Sequence, residues 1–413
     1  MSVKWDELFS ERALRMKSSA IRELLKLTEQ PDFISFAGGL PAPEVFPVEA
    51  IERATVTVMR EHGAQALQYG LTEGYTPLRE LIATRLNHDG MKVTSENIMI
   101  TTGSQQALDL LGKIFINHDD FILTESPTYL GALQAWNSYQ AAYLTIPTDD
   151  DGMITDGLEQ LLQNHPKFIY ALPNFQNPGG FTMNGERRNE LVRLSAKYNV
   201  PIVEDDPYGE LRYEGEPLPS LLALSATFYS GSNYYTGNVI RLNTFSKILA
   251  PGLRLGWVVA APEVIFKLAQ AKQGADLHTS SLNQFLAYEL LQSGFLDQHI
   301  HIIRQTYRER RDVMLQSLQD FFPEGVRWTK PKGGMFLWVR LPEGMDSSEL
   351  LKIAIERKFA FVPGRSFFPN GGGENTMRLN FSNSTPQKIR EGIRLLGELL
   401  KEHISQPIPS VVS

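Results

Sequence analysis

The sequence contains no cysteine. Disulfide scaffolding, thiolate metal centres and a cysteine nucleophile are excluded at once. Nowhere does it hold the run of about 18 apolar residues that a membrane-spanning helix needs. Residues 1–15 are charged and lack the apolar centre of a secretion signal, so the chain reads as cytoplasmic. Excess positive charge is also missing: 40 Lys and Arg face 47 Asp and Glu, a net charge of −7. That balance argues against nucleic acid as a partner. No metal site is expected. What is present is a 413-residue chain, 42% hydrophobic and 21% charged, enough for a large packed core and more than one domain.

Along the chain, residues 20–27 have the apolar spacing of an amphipathic helix, with Ser18-Ser19 as its cap. Residues 50–62 and 74–88 also read as helices, joined by the Gly-rich loop Gln68-Tyr69-Gly70-Leu71-Thr72-Glu73-Gly74. From residue 97 strand and helix patterns alternate. Strands are predicted at 97–102, 121–124, 142–146, 168–172, 201–204, 239–242 and 255–260. A loop is expected from 205 to about 235. This pattern predicts an α/β fold with a mostly parallel seven-stranded sheet flanked by helices. The last strand follows too short a crossover for a helix and is expected to be antiparallel. Helices should fill 262–273 and most of 282–321, where the arginine-rich stretch 304–311 reads as a solvated face. Beyond Pro323 shorter strands and helices predict a smaller α+β domain. The expected division is an N-terminal arm at 1–30, a large domain at 46–300, a small domain from 31–45 with 320–404, and a tail at 405–413.

Ligands of open α/β sheets sit beyond the carboxyl ends of the strands, so the residues that follow each strand carry the functional information. The stretch 239–257 is the richest: Thr244, Ser246 and Lys247 follow one strand, and Arg254 precedes the next. Hydroxyls and a guanidinium suit a phosphate monoester. A lysine amine beside them suits condensation with the aldehyde of pyridoxal phosphate. After the strand at 97–102 come Gly103, Ser104 and Gln105, a glycine turn opening a helix, where free N–H groups can hold phosphate. Tyr129 follows the second strand and could stack on a flat ring. Asn177 follows the strand at 168–172, and Asp205 and Tyr208 follow that at 201–204. A carboxylate could pair with a protonated pyridine nitrogen, while the amide and the phenol could reach a phenolate oxygen. The pair Asp205-Asp206 could equally be a turn or a cap.

With these residues in place the chain resembles the fold-type I pyridoxal-phosphate aminotransferases, in the branch of 2-aminoadipate and kynurenine aminotransferases. The resemblance runs from Ser18 to about Leu400. It rests on Phe36-Ala37-Gly38-Gly39-Leu40-Pro41, Gln68-Tyr69, Thr101-Thr102-Gly103-Ser104-Gln105, Gln176-Asn177-Pro178-Gly179-Gly180, Glu204-Asp205-Asp206-Pro207-Tyr208, Phe245-Ser246-Lys247, Leu253-Arg254, Gly274-Ala275-Asp276-Leu277-His278 and Met377-Arg378-Leu379.

The resemblance implies that Lys247 forms the Schiff base with the cofactor and moves the substrate proton. Asp205 would hold the ring nitrogen protonated, and Asn177 and Tyr208 would bind the phenolate oxygen. Ser104, Gln105, Thr244, Ser246 and Arg254 would hold the phosphate, and Tyr129 would stack on the ring. Tyr69 would reach the neighbouring site of a homodimer. Arg378 would grip the substrate α-carboxylate, with Asn177 and Gly39 beside it, and Arg22 would meet a distal carboxylate.

Two positions depart from the family pattern: Gly179 stands where threonine is usual, and Thr244 where serine is. The implied activity is ping-pong amino transfer from an L-amino acid of 2-aminoadipate, glutamate, leucine or aromatic type to 2-oxoglutarate. A lyase or decarboxylase on the same cofactor is an alternative. An effector-sensing regulator built on this domain is a weaker one, since only a short arm precedes Gly38.

Overall fold

The computed structural model describes residues 3–16, 32–229 and 234–405. Arg22, the helix expected at 20–27 and the tail beyond residue 405 lie outside the described residues.

The large sheet has eight strands. From one edge they run Ile98–Thr101, Gly256–Val259, Val239–Thr244, Ile202–Asp205, Ile169–Ala171, Phe121–Ser126, Ala142–Asp149 and Gly152–Met153. The seven expected strands are all present, and the two-residue Gly152–Met153 adds an eighth at the far edge. The Gly256–Val259 strand is antiparallel to both neighbours, as its short crossover requires. Helices cover both faces. Side chains alternate accordingly: Ile98, Ile100, Ile169, Ala171, Ile202 and Val239 join the core on one face, and Met99, Phe168, Tyr170, Val203, Ile240 and Leu242 join that on the other.

A second, four-stranded antiparallel sheet orders as Arg327–Trp328, Phe336–Arg340, Thr376–Asn380 and Val362–Pro363. Ile34–Ser35 pairs in parallel with Phe359–Ala360, tying an early segment to the C-terminal third of the chain. Among the described residues no helix is long and apolar enough to cross a membrane.

Two expectations are corrected. The stretch 205–235 is not all loop, because Leu221–Phe228 is a helix. Its first amides are held by the Ser220 hydroxyl and by a buried carboxylate from the sheet: Glu204 accepts from the Leu221 and Leu222 amides at 2.9 and 3.0 Å. That cap comes from 17 residues upstream and leaves no local trace in the sequence. The charged stretch 304–311 of the helix Phe295–Phe321 is a solvated face only in part: Gln305, Arg308 and Glu309 are exposed, but not all of its arginines are. Arg310 and Arg311 are buried; Arg310 bonds Glu44 and the Ser382 carbonyl, and Arg311 bonds Glu214 and the Pro331 carbonyl. Arg304 joins Glu210. These arginines tie the helix to segments from four other parts of the chain.

Arg241 is the cation of the sheet interior. It lies 2.6 Å from Asp206 and 3.9 Å from Glu204. Replacing it with methionine leaves two buried carboxylates without a counter-charge, which should cost about 3–5 kcal/mol. The drop should be read as a lower urea midpoint; an unchanged midpoint would mean that both carboxylates are carried neutral.

Candidate active site

Twelve of the fourteen candidate residues line one cavity of about 660 Å³: Gly39, Ser104, Gln105, Tyr129, Asn177, Asp205, Tyr208, Thr244, Ser246, Lys247, Arg254 and Arg378. Tyr69 stands apart, 78% exposed, with its ring edge-on to His278. Arg22 is not described. A larger cavity of about 780 Å³ lies alongside and shares Pro207 and Thr244, but it carries neither the lysine nor Asp205. The candidate chemistry therefore gathers in the smaller one.

Sheet topology explains the convergence. Parallel strands end where the antiparallel strand begins, so residues after the first kind and before the second meet at one edge. Three adjacent strands thus deliver Ser104, Arg254, and Thr244 with Ser246. Gly103 sits at φ +74° and caps the helix Ser104–Phe115, whose first amides have no partner within the helix. A Cβ on Gly103 would lie 2.7 Å from Arg254 Nη2, so the guanidinium rests directly on that turn. Gly256 permits the matching approach from the sheet, since its Cβ would lie 2.8 Å from the Ser104 amide nitrogen. The Thr244 hydroxyl, 3.1 Å from both the Ser246 amide and the Leu255 carbonyl, braces the turn that aims Lys247. Backbone donors, hydroxyls and a guanidinium converge in a cup whose chemistry suits a phosphate.

Lys247 is buried, and its ammonium donates to the Gly39 carbonyl at 2.8 Å. Burial, with Arg378 and Arg254 nearby, pushes its pKa down to about 8. Two strands away from the antiparallel one, Asp205 is fully buried. Burial raises its pKa to about 7, the Tyr170 hydroxyl opposes that rise, and Asp206 adds to it. Oδ2 accepts from Tyr170 at 2.7 Å, while the buried Oδ1 has no hydrogen-bond partner among the described residues. The adjacent Asp206 points elsewhere: Arg241, Asn174 and the Gly209 amide hold it. Only Asp205 of the pair lines the site cavity.

Arg378 is buried and donates to Asn177 Oδ1 and to the Ala37 carbonyl, both at 2.7 Å. It also lies over the ring of Phe336 at 4.2 Å. Burial lowers its pKa to about 10, which still leaves it charged at neutral pH. Asn177 donates in turn to the Tyr208 hydroxyl at 3.4 Å, and burial pushes the Tyr208 pKa up, keeping the phenol protonated. Sequence reasoning missed Phe336 and Tyr170. Phe336 explains Gly39, where a Cβ would stand 2.9 Å from that ring. Tyr170 interrupts an otherwise apolar strand with a hydroxyl, which was the only available signal.

The donor set fits pyridoxal phosphate: an amine of low basicity, a buried carboxylate oxygen without a donor for the ring nitrogen, and a phosphate cup at the same edge. Among the described residues no His, Asp or Glu cluster could hold a metal ion.

Comparison with known proteins agrees. The aminotransferase class I and II family model matches residues 37–396. The chain is 50% identical to the aromatic-amino-acid aminotransferase 1 of Thermococcus litoralis, covering 98% of this chain and 97% of that protein. It superposes on the kynurenine aminotransferase of Pyrococcus horikoshii with a TM-score of 0.91 and 48% identity, over 97% of this chain and 98% of that one. The α-aminoadipate aminotransferase of Thermus thermophilus, solved with N-(5'-phosphopyridoxyl)-L-leucine, gives 0.90 and 45%, over 98% and 100%.

Asp205 also makes a stability prediction for the cofactor-free chain. Its folded pKa near 7 exceeds the ordinary 3.8, so the folded state binds the extra proton between these values and stability falls as pH rises through them. Asp205→Asn removes that loss. The variant should melt above the cofactor-free wild type at pH 8, with the advantage fading below pH 4. A variant that melts lower at pH 8 contradicts the reading.

Proposed function

The chain belongs to the aminotransferase class I and II family and is a pyridoxal-phosphate-dependent transaminase, and from that premise we propose that it moves an amino group from an L-amino acid to 2-oxoglutarate in two half-reactions at one site. The observation that carries this reading is Lys247, a buried amine with a pKa near 8 in the same cavity as Asp205 and Arg378.

Bound pyridoxal phosphate supplies an aldehyde that takes up amino groups and a ring that stores the electrons released at the substrate α-carbon. The protein does the rest. Lys247 would hold the cofactor through its amine and would carry the proton to and from the substrate α-carbon. Its low pKa makes the neutral, basic amine available at modest cost near neutral pH. Asp205 keeps the ring nitrogen protonated, with Oδ1 as the acceptor. Asn177 and Tyr208 bind the phenolate oxygen, and Tyr129 covers the ring. Ser104, Gln105, Thr244, Ser246 and Arg254 hold the phosphate.

Arg378 binds the α-carboxylate of the substrate. Its hydrogen bonds to Asn177 and Ala37 fix the fork before substrate arrives, which lowers the entropy lost on binding. Gly39 leaves the space above it. The exposure of Tyr69 favours a homodimer in which this tyrosine reaches the partner's phosphate. Cytoplasmic location and the arm, large-domain and small-domain division are part of the same reading.

The relatives' names support donors of aromatic, kynurenine and 2-aminoadipate type, and the phosphopyridoxyl-leucine complex supports leucine; glutamate is proposed with them as an acidic donor. Arg22 is assigned to the distal carboxylate of acidic donors.

Borohydride reduction of the holoenzyme should fix a pyridoxyl group on Lys247, located by peptide mapping. A label on another lysine, or none, overturns the assignment. In an amino-donor panel with 2-oxoglutarate as acceptor, Arg22→Ala should lower kcat/KM for 2-aminoadipate and glutamate by about tenfold or more while sparing leucine. Equal losses would remove Arg22 from substrate recognition.

A further inference from the structure

Tyr170 has no part in the roles assigned above, yet it is fully buried and its hydroxyl donates to Asp205 Oδ2 at 2.7 Å. The register explains the contact. Tyr170 pairs with Val203 on the neighbouring strand, and Asp205 lies two residues further along on the same face, toward the site. The tyrosine ring is itself fixed. It packs edge-on against Trp136, with ring centroids 4.9 Å apart, and the Trp136 indole donates to the Leu108 carbonyl at 2.9 Å. Leu108 belongs to the helix whose N-terminus forms the phosphate cup. The carboxylate and the cup are thus held by one chain of contacts. Besides Asp205, the ionisable groups that bear on Tyr170 are Tyr129 and Glu125.

A carboxylate with two free oxygens could rotate and offer either to a ligand. With Oδ2 committed to Tyr170, only Oδ1 remains without a donor. We infer that Tyr170 is a positioning residue for the cofactor: its hydroxyl locks the Asp205 carboxylate so that Oδ1 alone meets the ring nitrogen. The inference rests on the proposed role of Asp205. It predicts that the hydroxyl matters only for ligands carrying that nitrogen.

Tyr170→Phe keeps the ring packed on Trp136 and removes only the hydroxyl. Dissociation constants are to be measured on the cofactor-depleted full chain for pyridoxal phosphate and for an analogue with carbon in place of the ring nitrogen. For the natural cofactor the variant should bind about tenfold more weakly than wild type, the scale of one hydrogen bond to a charged group. For the carbon analogue the two proteins should agree within about twofold. Equal weakening of both ligands would assign Tyr170 a packing role, and no weakening of either would assign it none; both results overturn the inference. If wild type itself binds the two ligands equally, the role of Asp205 fails first and the inference falls with it. If the phenylalanine variant does not fold, fluorotyrosine at position 170 keeps the shape and alters donor acidity. It must change the ratio of the two constants, and an unchanged ratio overturns the inference.

Discussion

One cavity holds a buried amine and a buried carboxylate that are not partners of each other. Lys247 spends its contact on a backbone carbonyl, and Asp205 spends one oxygen on a tyrosine. Burial shifts both toward their neutral forms, the lysine down to about 8 and the aspartate up to about 7. Had they met as an ion pair, each would have satisfied the other and neither would be open to a third molecule. Asp205 ends one strand and Lys247 lies in the turn after the neighbouring one, so both remain available to a flat ligand. The remaining site features depend on this spacing.

The sheet enforces it through close approaches at glycine. Gly103 seats Arg254, Gly256 admits the Ser104 turn, and Gly39 makes room for Phe336. Each removes a side chain where two functional segments meet, so the cup and the substrate wall are built by backbone contact and not by long flexible side chains. Arg378 follows the same logic. It is wedged between aromatic rings and two acceptors, so its charge is oriented before any substrate arrives.

Much of this was legible in the sequence, for identifiable reasons. Short continuous apolar runs set between helical patterns mark the seven main strands, and the strand-end rule then gathers most site residues. What escaped reading depends on contacts distant in sequence. The helix Leu221–Phe228 is capped from the sheet by Glu204. The partners that hold Asp206 away from the site, Arg241 and Asn174, come from other segments and are not visible in the Asp-Asp pair, although Asp205 was picked out from its place after the strand. Arg310 and Arg311 look like solvated charge until their acceptors arrive from elsewhere in the chain. Tyr170 looks like a core aromatic, because its hydroxyl finds its acceptor one strand over.

The hairpin between Val239–Thr244 and Gly256–Val259 carries both Lys247 and Arg254 in its connection. It works as a gauge of fixed length. Two strands pin its ends, and the distance from amine to guanidinium is set by the few residues between them. A longer connection would move the Lys247 amine away from the Arg254 guanidinium, the two groups proposed to hold opposite ends of the cofactor.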